Sequence, residues 1–335
     1  MDFESYRQFR SELLQQRCLL RLDCMNPVQA FSTWIPKTPE PGPQGGTRID
    51  RTLLLWEKAT GMALNPGRTV IGRGVRDLLA ATFTSVLKKD EDLWLPEDVY
   101  PVYGKLAVDA GLTARTFPTL PEPEFRFLTQ SAERATVVLP VPLSPLGRLP
   151  DQFESDALLG WLRGSPHRLL IIDAVYTFDF EKSRSFLDLF LGQNGDQCIA
   201  LWSCSKSWLL PKSLGIAVTP RRLTPTLADH VARPSHSDLG RIDSTLENQP
   251  DLWSRQQKAF TLQWRRLAPI IHSINRNWEP PPSGYFSVLD VPFSSLLNEH
   301  GILSVPGSVF GAKRDDLSIV TCLHDLPQHA TAIGI

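Results

Sequence analysis

The chain is organised around residues 199–217, which read Ile-Ala-Leu-Trp-Ser-Cys-Ser-Lys-Ser-Trp-Leu-Leu-Pro-Lys-Ser-Leu-Gly-Ile-Ala. The apolar run 199–202 predicts the end of a buried strand, and Ser203, Ser205 and Lys206 follow it directly. A lysine amine can form an imine with an aldehyde, and serine hydroxyls can donate to phosphate oxygens. The pattern therefore suits a phosphorylated aldehyde cofactor, although a lysine in a serine-rich loop is also a common arrangement without one.

A second motif lies upstream, in residues 168–176. It reads Arg-Leu-Leu-Ile-Ile-Asp-Ala-Val-Tyr, an apolar strand that ends on Asp173 and is followed by Tyr176 three residues later. A carboxylate at a strand end can hold a pyridine nitrogen protonated, which makes the ring a stronger electron sink. A tyrosine at this spacing is placed to reach a phenolic oxygen on the same ring.

The order and spacing of the two motifs resemble the class I/II aminotransferases, the fold type I enzymes that depend on pyridoxal phosphate. The resemblance extends over roughly residues 50–325. It implies pyridoxal 5'-phosphate as the cofactor. It also implies that Lys206 forms the imine and shuttles protons. Asp173 would keep the pyridine nitrogen protonated, and Tyr176 would contact the phenolic oxygen.

A glycine-containing turn, Gly-Arg-Gly-Val-Arg-Asp-Leu at 72–78, opens a helix after a short strand at 69–71. Free backbone N–H groups and the positive end of the helix dipole attract anions, although such a turn alone is often only a tight connection. The resemblance implies that the cofactor phosphate binds here. The residues expected to hold it are Gly74, Val75, Arg76, Ser203 and Ser205.

Two further segments match the family in part. In Pro-Glu-Asp-Val-Tyr-Pro-Val-Tyr at 96–103, the ring of Tyr100 is expected to stack on the pyridine, unless both tyrosines only cap a helix. Residues 142–147, Pro-Leu-Ser-Pro-Leu-Gly, resemble the family's Asn-Pro-x-Asn-Pro-Thr-Gly signature without its asparagines. Ser144 stands where the second asparagine would donate to the phenolic oxygen, and a serine hydroxyl has a shorter reach.

Two arginines that the resemblance implies are missing. The loop after Lys206 has no arginine for the phosphate, and Lys212 is the candidate replacement unless it faces solvent. Family members that act on α-amino acids carry an arginine that clamps the substrate carboxylate, and Ser318 stands at that position. Arg314, in the preceding loop, is the candidate substrate-binding cation. The substrate could instead be an amine or a modified acid without a free carboxylate.

Strands and helices alternate from about residue 50 to 220, which predicts an α/β fold with a mostly parallel, doubly wound sheet in a three-layer sandwich. The predicted division is an N-terminal helix and interface loop at 1–48, a large cofactor-binding domain at 49–240 and a small C-terminal α/β domain at 241–335. Residues 224–246 show little periodicity, and a long helix at 252–275 is expected to break near Pro269. The N-terminal helix and the Pro/Gly-rich segment 36–46 are expected to pack on a partner subunit.

Bulk composition excludes several classes of protein. The 335 residues carry a net charge of −1, which gives no support for binding to nucleic acid or to an anionic membrane. No apolar run approaches the roughly 20 residues of a membrane-spanning helix, and the first residues lack a signal-peptide pattern. Five cysteines without zinc spacing favour reduced thiols in a cytoplasmic protein that has no metal site.

The sequence therefore predicts a cytoplasmic, homodimeric, pyridoxal-phosphate-dependent enzyme that acts on a small amino substrate. Aminotransfer is the reaction that the family resemblance implies. The changes at Ser144 and Ser318 leave elimination, cyclisation, decarboxylation or oxidation of an unusual amino acid or amine open. A relative that binds the cofactor without catalysis is the third alternative.

Overall fold

The computed structural model describes residues 1–16, 19–35, 48–99, 101–211 and 214–324. Predictions made for the segment 36–46, for Tyr100 and for Lys212 lie outside the described residues and stay predictions.

The strands are β1 (Leu20–Arg21), β2 (Thr69–Gly72), β3 (Asp92–Pro96), β4 (Ala114–Phe117), β5 (Ala135–Pro140), β6 (Leu169–Asp173), β7 (Cys198–Ser203), β8 (Gly215–Val218), β9 (Phe286–Leu289), β10 (Ile302–Leu303), β11 (Val305–Pro306) and β12 (Ser318–Thr321). The helices are α1 (Phe3–Gln16), α2 (Pro27–Ala30), α3 (Arg48–Thr60), α4 (Val75–Ser85), α5 (Val102–Asp109), α6 (Gln152–Arg163), α7 (Phe180–Gln193), α8 (Cys204–Ser207), α9 (Thr224–His230), α10 (His236–Asn248), α11 (Leu252–Ile274) and α12 (Phe293–Asn298).

A seven-stranded sheet forms the centre of the described chain, in the order β2-β8-β7-β6-β5-β3-β4. Strand β8 runs antiparallel to both of its neighbours, β2 and β7, and the remaining pairs are parallel. Every residue of β5, β6 and β7 is buried, as is usual for parallel strands that are covered on both faces. Alternate residues reach different cores, with Val137 and Leu139 in one cluster and Val138 in the other. The predicted mostly parallel, doubly wound α/β fold is confirmed.

The N-terminal segment packs on the C-terminal part of its own chain. Strand β1 pairs in parallel with β10, and a separate sheet has the order β11-β12-β9. On α1, the fully buried Tyr6 donates a hydrogen bond from its hydroxyl to the Ser304 carbonyl at 2.8 Å. The ring of Phe9 contacts that of Phe293 at a centroid distance of 6.1 Å. Tyr6 and Phe9 of α1 therefore pack on the C-terminal part of the same chain, and the expected packing on a partner subunit stays a prediction.

Three elements differ from the sequence expectation. Residues 224–246 contain α9 and most of α10, and α10 begins with a capping box formed by Ser235 and Asp238. The expected domain boundary at residue 240 consequently falls inside a helix, which contacts α3 through a hydrogen bond from Thr52 to Asp243. Helix α11 continues through Pro269 without ending there. Strand β8 had no counterpart among the predicted strands.

The packing of α1 predicts the effect of Tyr6→Ala. Because the ring is fully buried, its loss should lower the free energy of unfolding by about 3 to 5 kcal/mol, measured by urea denaturation. The loss should be the same in dilute and in concentrated protein, because the contacts are made within one chain. Phe153→Ala is the control and should change stability by less than about 0.5 kcal/mol, since Phe153 is 87% exposed. A Tyr6→Ala effect that appears only at concentrations where subunits associate would contradict this packing.

Candidate active site

The carboxyl ends of three neighbouring strands meet at one edge of the large sheet. Asp173, the last residue of β6, lies opposite Pro140 of β5 and Leu201 of β7. The loops that follow these strands therefore emerge side by side, which is where open α/β sheets bind ligands. The ends of these strands and the segments that follow them carry Ser144, Tyr176, Ser203, Ser205 and Lys206.

Asp173 is a buried carboxylate with two hydrogen-bond donors. Its Oδ2 accepts from the Tyr103 hydroxyl at 2.8 Å, and its Oδ1 accepts from the Val175 N–H at 3.1 Å. Burial raises the pKa of Asp173 to about 6, against the opposing effect of the two hydrogen bonds. The group is therefore still largely ionised at neutral pH. Sequence reasoning treated Tyr103 only as a possible helix cap, because nothing in the local pattern pairs it with a residue 70 positions away.

Lys206 lies on the single turn of α8. Burial lowers the pKa of its amine to about 8, and the positive charge of Arg76 lowers it further, while Cys24 acts in the opposite direction. Within the described chain, no hydrogen bond or ion pair engages its Nζ. Gln256 of α11 stabilises this turn, because its Nε2 donates a hydrogen bond to the Lys206 carbonyl at 3.2 Å. A substantial neutral fraction near neutral pH makes this lysine a competent nucleophile.

The N-terminus of α4 faces the end of β7. Gly74 is the N-cap at φ 140°, and no side chain of the described residues caps the helix. A Cβ on Gly74 would lie 3.9 Å from the Ser203 Oγ, and one on Gly215 would lie 2.6 Å from the Gly74 carbonyl carbon. The N–H groups of Val75 and Arg76 in the first turn have no intrahelical partner. Ser203 also accepts a hydrogen bond from the Ser205 N–H at 3.0 Å.

Tyr176 and Ser144 line one open cleft between the loops of the large sheet and the turn that precedes β9. The other walls include Pro142, Tyr285 and Phe286. Tyr176 is hydrogen-bonded to Tyr285, and it also acts electrostatically on Tyr103 beside Asp173. Tyr176 is thus the residue that joins this cleft to the buried carboxylate.

The N-terminal segment also reaches the site, which the sequence did not predict. The Tyr285 hydroxyl donates to the Met25 carbonyl at 3.2 Å. Cys24, one residue earlier, acts electrostatically on both Lys206 and Tyr285. The segment after β1 is therefore a neighbour of the lysine, although it lies about 180 residues away in the sequence.

Arg314 does not join this cluster. Its guanidinium lies at the surface and is paired with Asp316 at 2.7 Å and with Asp290 at 3.0 Å. Asp290 follows β9, four residues beyond Phe286 in the cleft wall, a distance of roughly 13 Å along a strand. Ser318 is fully buried, and its Oγ donates to the Val291 carbonyl at 2.7 Å. The prediction that Arg314 binds substrate therefore gains no support from its position.

The donor set fits a phosphorylated aldehyde. It combines a lysine amine without a partner, an uncapped helix N-terminus beside two serines, and a buried carboxylate at the end of the neighbouring strand. In the described ranges, no group of three or more His, Cys, Asp or Glu residues is arranged to hold a metal ion. No helix in the described part of the chain has the length and apolar character to span a membrane.

Comparison with known structures shows the same fold in several aminotransferases. An Escherichia coli protein, YbdL, whose structure is described as identifying a methionine aminotransferase function, superposes with a TM-score of 0.74 at 17% identity, over 96% of this chain and 94% of that one. The aspartate aminotransferase of Rhizobium meliloti superposes with a TM-score of 0.75 at 15% identity, over 99% of this chain and 95% of that one.

Sequence comparison identifies the family. The chain is 30% identical to histidinol-phosphate aminotransferase 2 of Thiobacillus denitrificans over 114 residues, which span 34% of this chain and only 31% of that relative. The family model for aminotransferase class I and II matches residues 50–333. Members of this family are enzymes that depend on pyridoxal phosphate, so the enzyme class and cofactor expected from the sequence are confirmed. The chain belongs to the class I and II aminotransferase family.

Proposed function

We propose that this protein is a pyridoxal-phosphate-dependent transferase that acts on the amino group of an amino acid or amine. The observation that carries the proposal is Lys206, a partly buried amine without a partner, whose pKa is lowered to about 8. It lies one turn after the end of β7, next to the strand that ends on Asp173. A lysine in such surroundings has little structural use, because burial of its charge is not offset by an ion pair.

Each part of the cofactor has a candidate partner. Lys206 would hold the aldehyde covalently, and Asp173 would hold the pyridine nitrogen. Tyr176 and Ser144 would donate to the phenolic oxygen. The phosphate would be held by N–H groups and hydroxyls of Gly74, Val75, Arg76, Ser203 and Ser205. From the sequence alone, we also propose that the Tyr100 ring stacks on the pyridine and that Lys212 provides an additional cation for the phosphate.

When bound, the cofactor supplies an electron sink for the bond that breaks at the substrate Cα. The residues of this chain supply orientation and proton transfer. Lys206, with its pKa near 8, can accept a proton from Cα as a neutral amine and return it at another atom. Asp173 has to stay ionised for this sink to work, and the Tyr103 hydroxyl favours its ionised form.

Aminotransfer is the reaction we favour within this proposal. A lyase, cyclase, decarboxylase or oxidase would use the same lysine and the same carboxylate, and Ser144 at the asparagine position is the observation in its favour. The intact trio of Lys206, Asp173 and Tyr176 argues against a relative that only binds the cofactor.

Covalent attachment at Lys206 is the first expected result. Purified protein incubated with pyridoxal phosphate should show an absorbance band at roughly 410–430 nm that borohydride bleaches. Mass spectrometry should then find the reduced cofactor on the peptide that contains Lys206. Lys206→Ala should lose both signals, and Lys182→Ala, a surface substitution, should keep them. A bleachable band that survives in Lys206→Ala would refute the assignment.

Cofactor affinity should depend on pH through Asp173. Protonation below about pH 6 removes the charge that faces the pyridine nitrogen, so affinity should fall as the pH drops through that value. Tyr103→Phe removes a donor that lowers the pKa of Asp173, and should raise the midpoint by about 1 to 2 pH units. Cofactor titrations from pH 5 to pH 9 measure both midpoints. Asp173→Asn should abolish this acid limb, and equal midpoints in wild type and Tyr103→Phe would mean that Tyr103 has no such role.

We also propose a homodimer in the cytoplasm. Family members commonly work as homodimers, and the described cysteines Cys24, Cys198, Cys204 and Cys322 are free thiols. Light scattering of the active protein should give about twice the chain mass of 37.6 kDa. A fully active species at the mass of one chain would contradict the dimer.

A further inference from the structure

We infer that the substrate carries an apolar group beside the reacting amine and no free carboxylate there. This inference rests on the proposed function and concerns the cleft beside Tyr176. Tyr176, which we propose to contact the phenolic oxygen of the cofactor, also lines this cleft. The proposed site therefore places the cleft beside the reacting amine.

The walls of the cleft are apolar and rigid. Aromatic rings line it from both sides, with Tyr176 and Phe286 at 5.8 Å and 82°, and Phe178 and Tyr285 at 5.8 Å and 66°. Pro142 and Pro145 close a third side. Edge-to-face packing of this kind fixes the rings in place, and the cleft that they line favours an apolar group.

Four backbone donors in the walls are already used. The Leu143 N–H donates to the Arg148 carbonyl at 2.7 Å, and the Gly147 N–H donates to the Leu143 carbonyl at 2.8 Å. On the opposite wall, the Ser283 N–H donates to the Gly147 carbonyl at 2.9 Å, and the Gly284 N–H donates to the Gln257 Oε1 at 2.9 Å. Proline has no N–H to offer. A carboxylate entering here would lose its water without gaining these donors.

Arg148, beside Leu143, and Arg314, which lies near the end of β9, are also engaged. Arg148, which pairs with Leu143 in an isolated β-bridge, holds Glu154 with both terminal nitrogens at 2.7 and 2.8 Å. Arg314 is held by Asp290 and Asp316. Among the residues that line the cleft, none carries a charged side chain. The lining therefore selects against an anion and favours an apolar group.

Two kinds of molecule share this chemistry. One is a primary amine with an aryl or branched alkyl group, and the other is an amino acid whose carboxyl is masked as an amide, ester or thioester. Both present an apolar surface and an amine, and neither has to bury a negative charge.

A matched series on the cofactor-loaded protein tests the inference. After removal of free cofactor, the absorbance band is titrated with 2-phenylethylamine, phenylalaninamide and phenylalanine, which differ only at the carboxyl position. At least one of the first two should shift the band at about 10-fold or more lower concentration than phenylalanine. A preference for 2-phenylethylamine identifies a simple amine as the substrate class, and one for phenylalaninamide identifies a masked acid.

Two results would overturn the inference. One is a band shift by phenylalanine at equal or lower concentration, which would show that a carboxylate is accepted. The other is a loaded protein whose band none of the three compounds shifts. Failure of the proposed function is a separate result, because the protein would then form no bleachable band at all.

The cleft wall provides an independent test. Phe286→Ala should weaken the shift by 2-phenylethylamine about 10-fold while cofactor affinity is retained, because Phe286 lines the cleft and has no place among the proposed cofactor ligands. Phe286→Leu keeps an apolar side chain if the alanine variant does not fold, and should give a smaller loss of the same sign. Phe153→Ala, far more exposed, is the control. Unchanged titrations in both Phe286 variants would contradict the role of this cleft.

Discussion

Three buried parallel strands, β5, β6 and β7, lie in register, with Pro140 opposite Asp173 and Asp173 opposite Leu201. This register brings together the central groups of the proposed chemistry, because each of these strands ends at the same edge of the sheet. Ser144, Tyr176 and Lys206 follow within a few residues of those ends. A slip of one residue in β6 would turn the Asp173 side chain to the opposite face of the sheet.

Burial then adjusts the two titrating groups in opposite directions. It raises the pKa of Asp173 to about 6 and lowers that of Lys206 to about 8, because a charge is costly in either case when water is removed. Tyr103 limits the change at Asp173 by donating a hydrogen bond to it. Both groups thus reach the charge state that cofactor chemistry needs near neutral pH: an ionised carboxylate and a partly neutral amine.

The substrate side of the site is built from segments that are distant in sequence. The turn before β9 is tied to the loop after β5 by the hydrogen bond between Ser283 and Gly147, and to the N-terminal segment by Tyr285 and Met25. Gly147 tolerates no side chain here, since a Cβ would lie 2.5 Å from the Ser283 carbonyl oxygen. The contacts close the cleft with aromatic and proline side chains. The proposed selectivity for an apolar substrate group therefore depends on packing against these side chains and not on a single cation.

The sequence by itself determined the layer order of the fold and the identity of the central residues. Apolar runs of strand length and the helical spacing between them predicted most of the parallel sheet, and the motifs around Asp173 and Lys206 led to the family. These signals are local, so a single segment contains them. Only the tertiary structure decided which partners these residues meet: Tyr103 with Asp173, 70 positions apart, and Tyr6 with Ser304, 298 positions apart. It also showed that Arg314 forms ion pairs with two aspartates and that α1 packs on the C-terminal part of the same chain. Such pairings depend on how distant elements pack against each other. The periodicity of one segment predicts its own secondary structure, but it does not indicate which other segment will contact it.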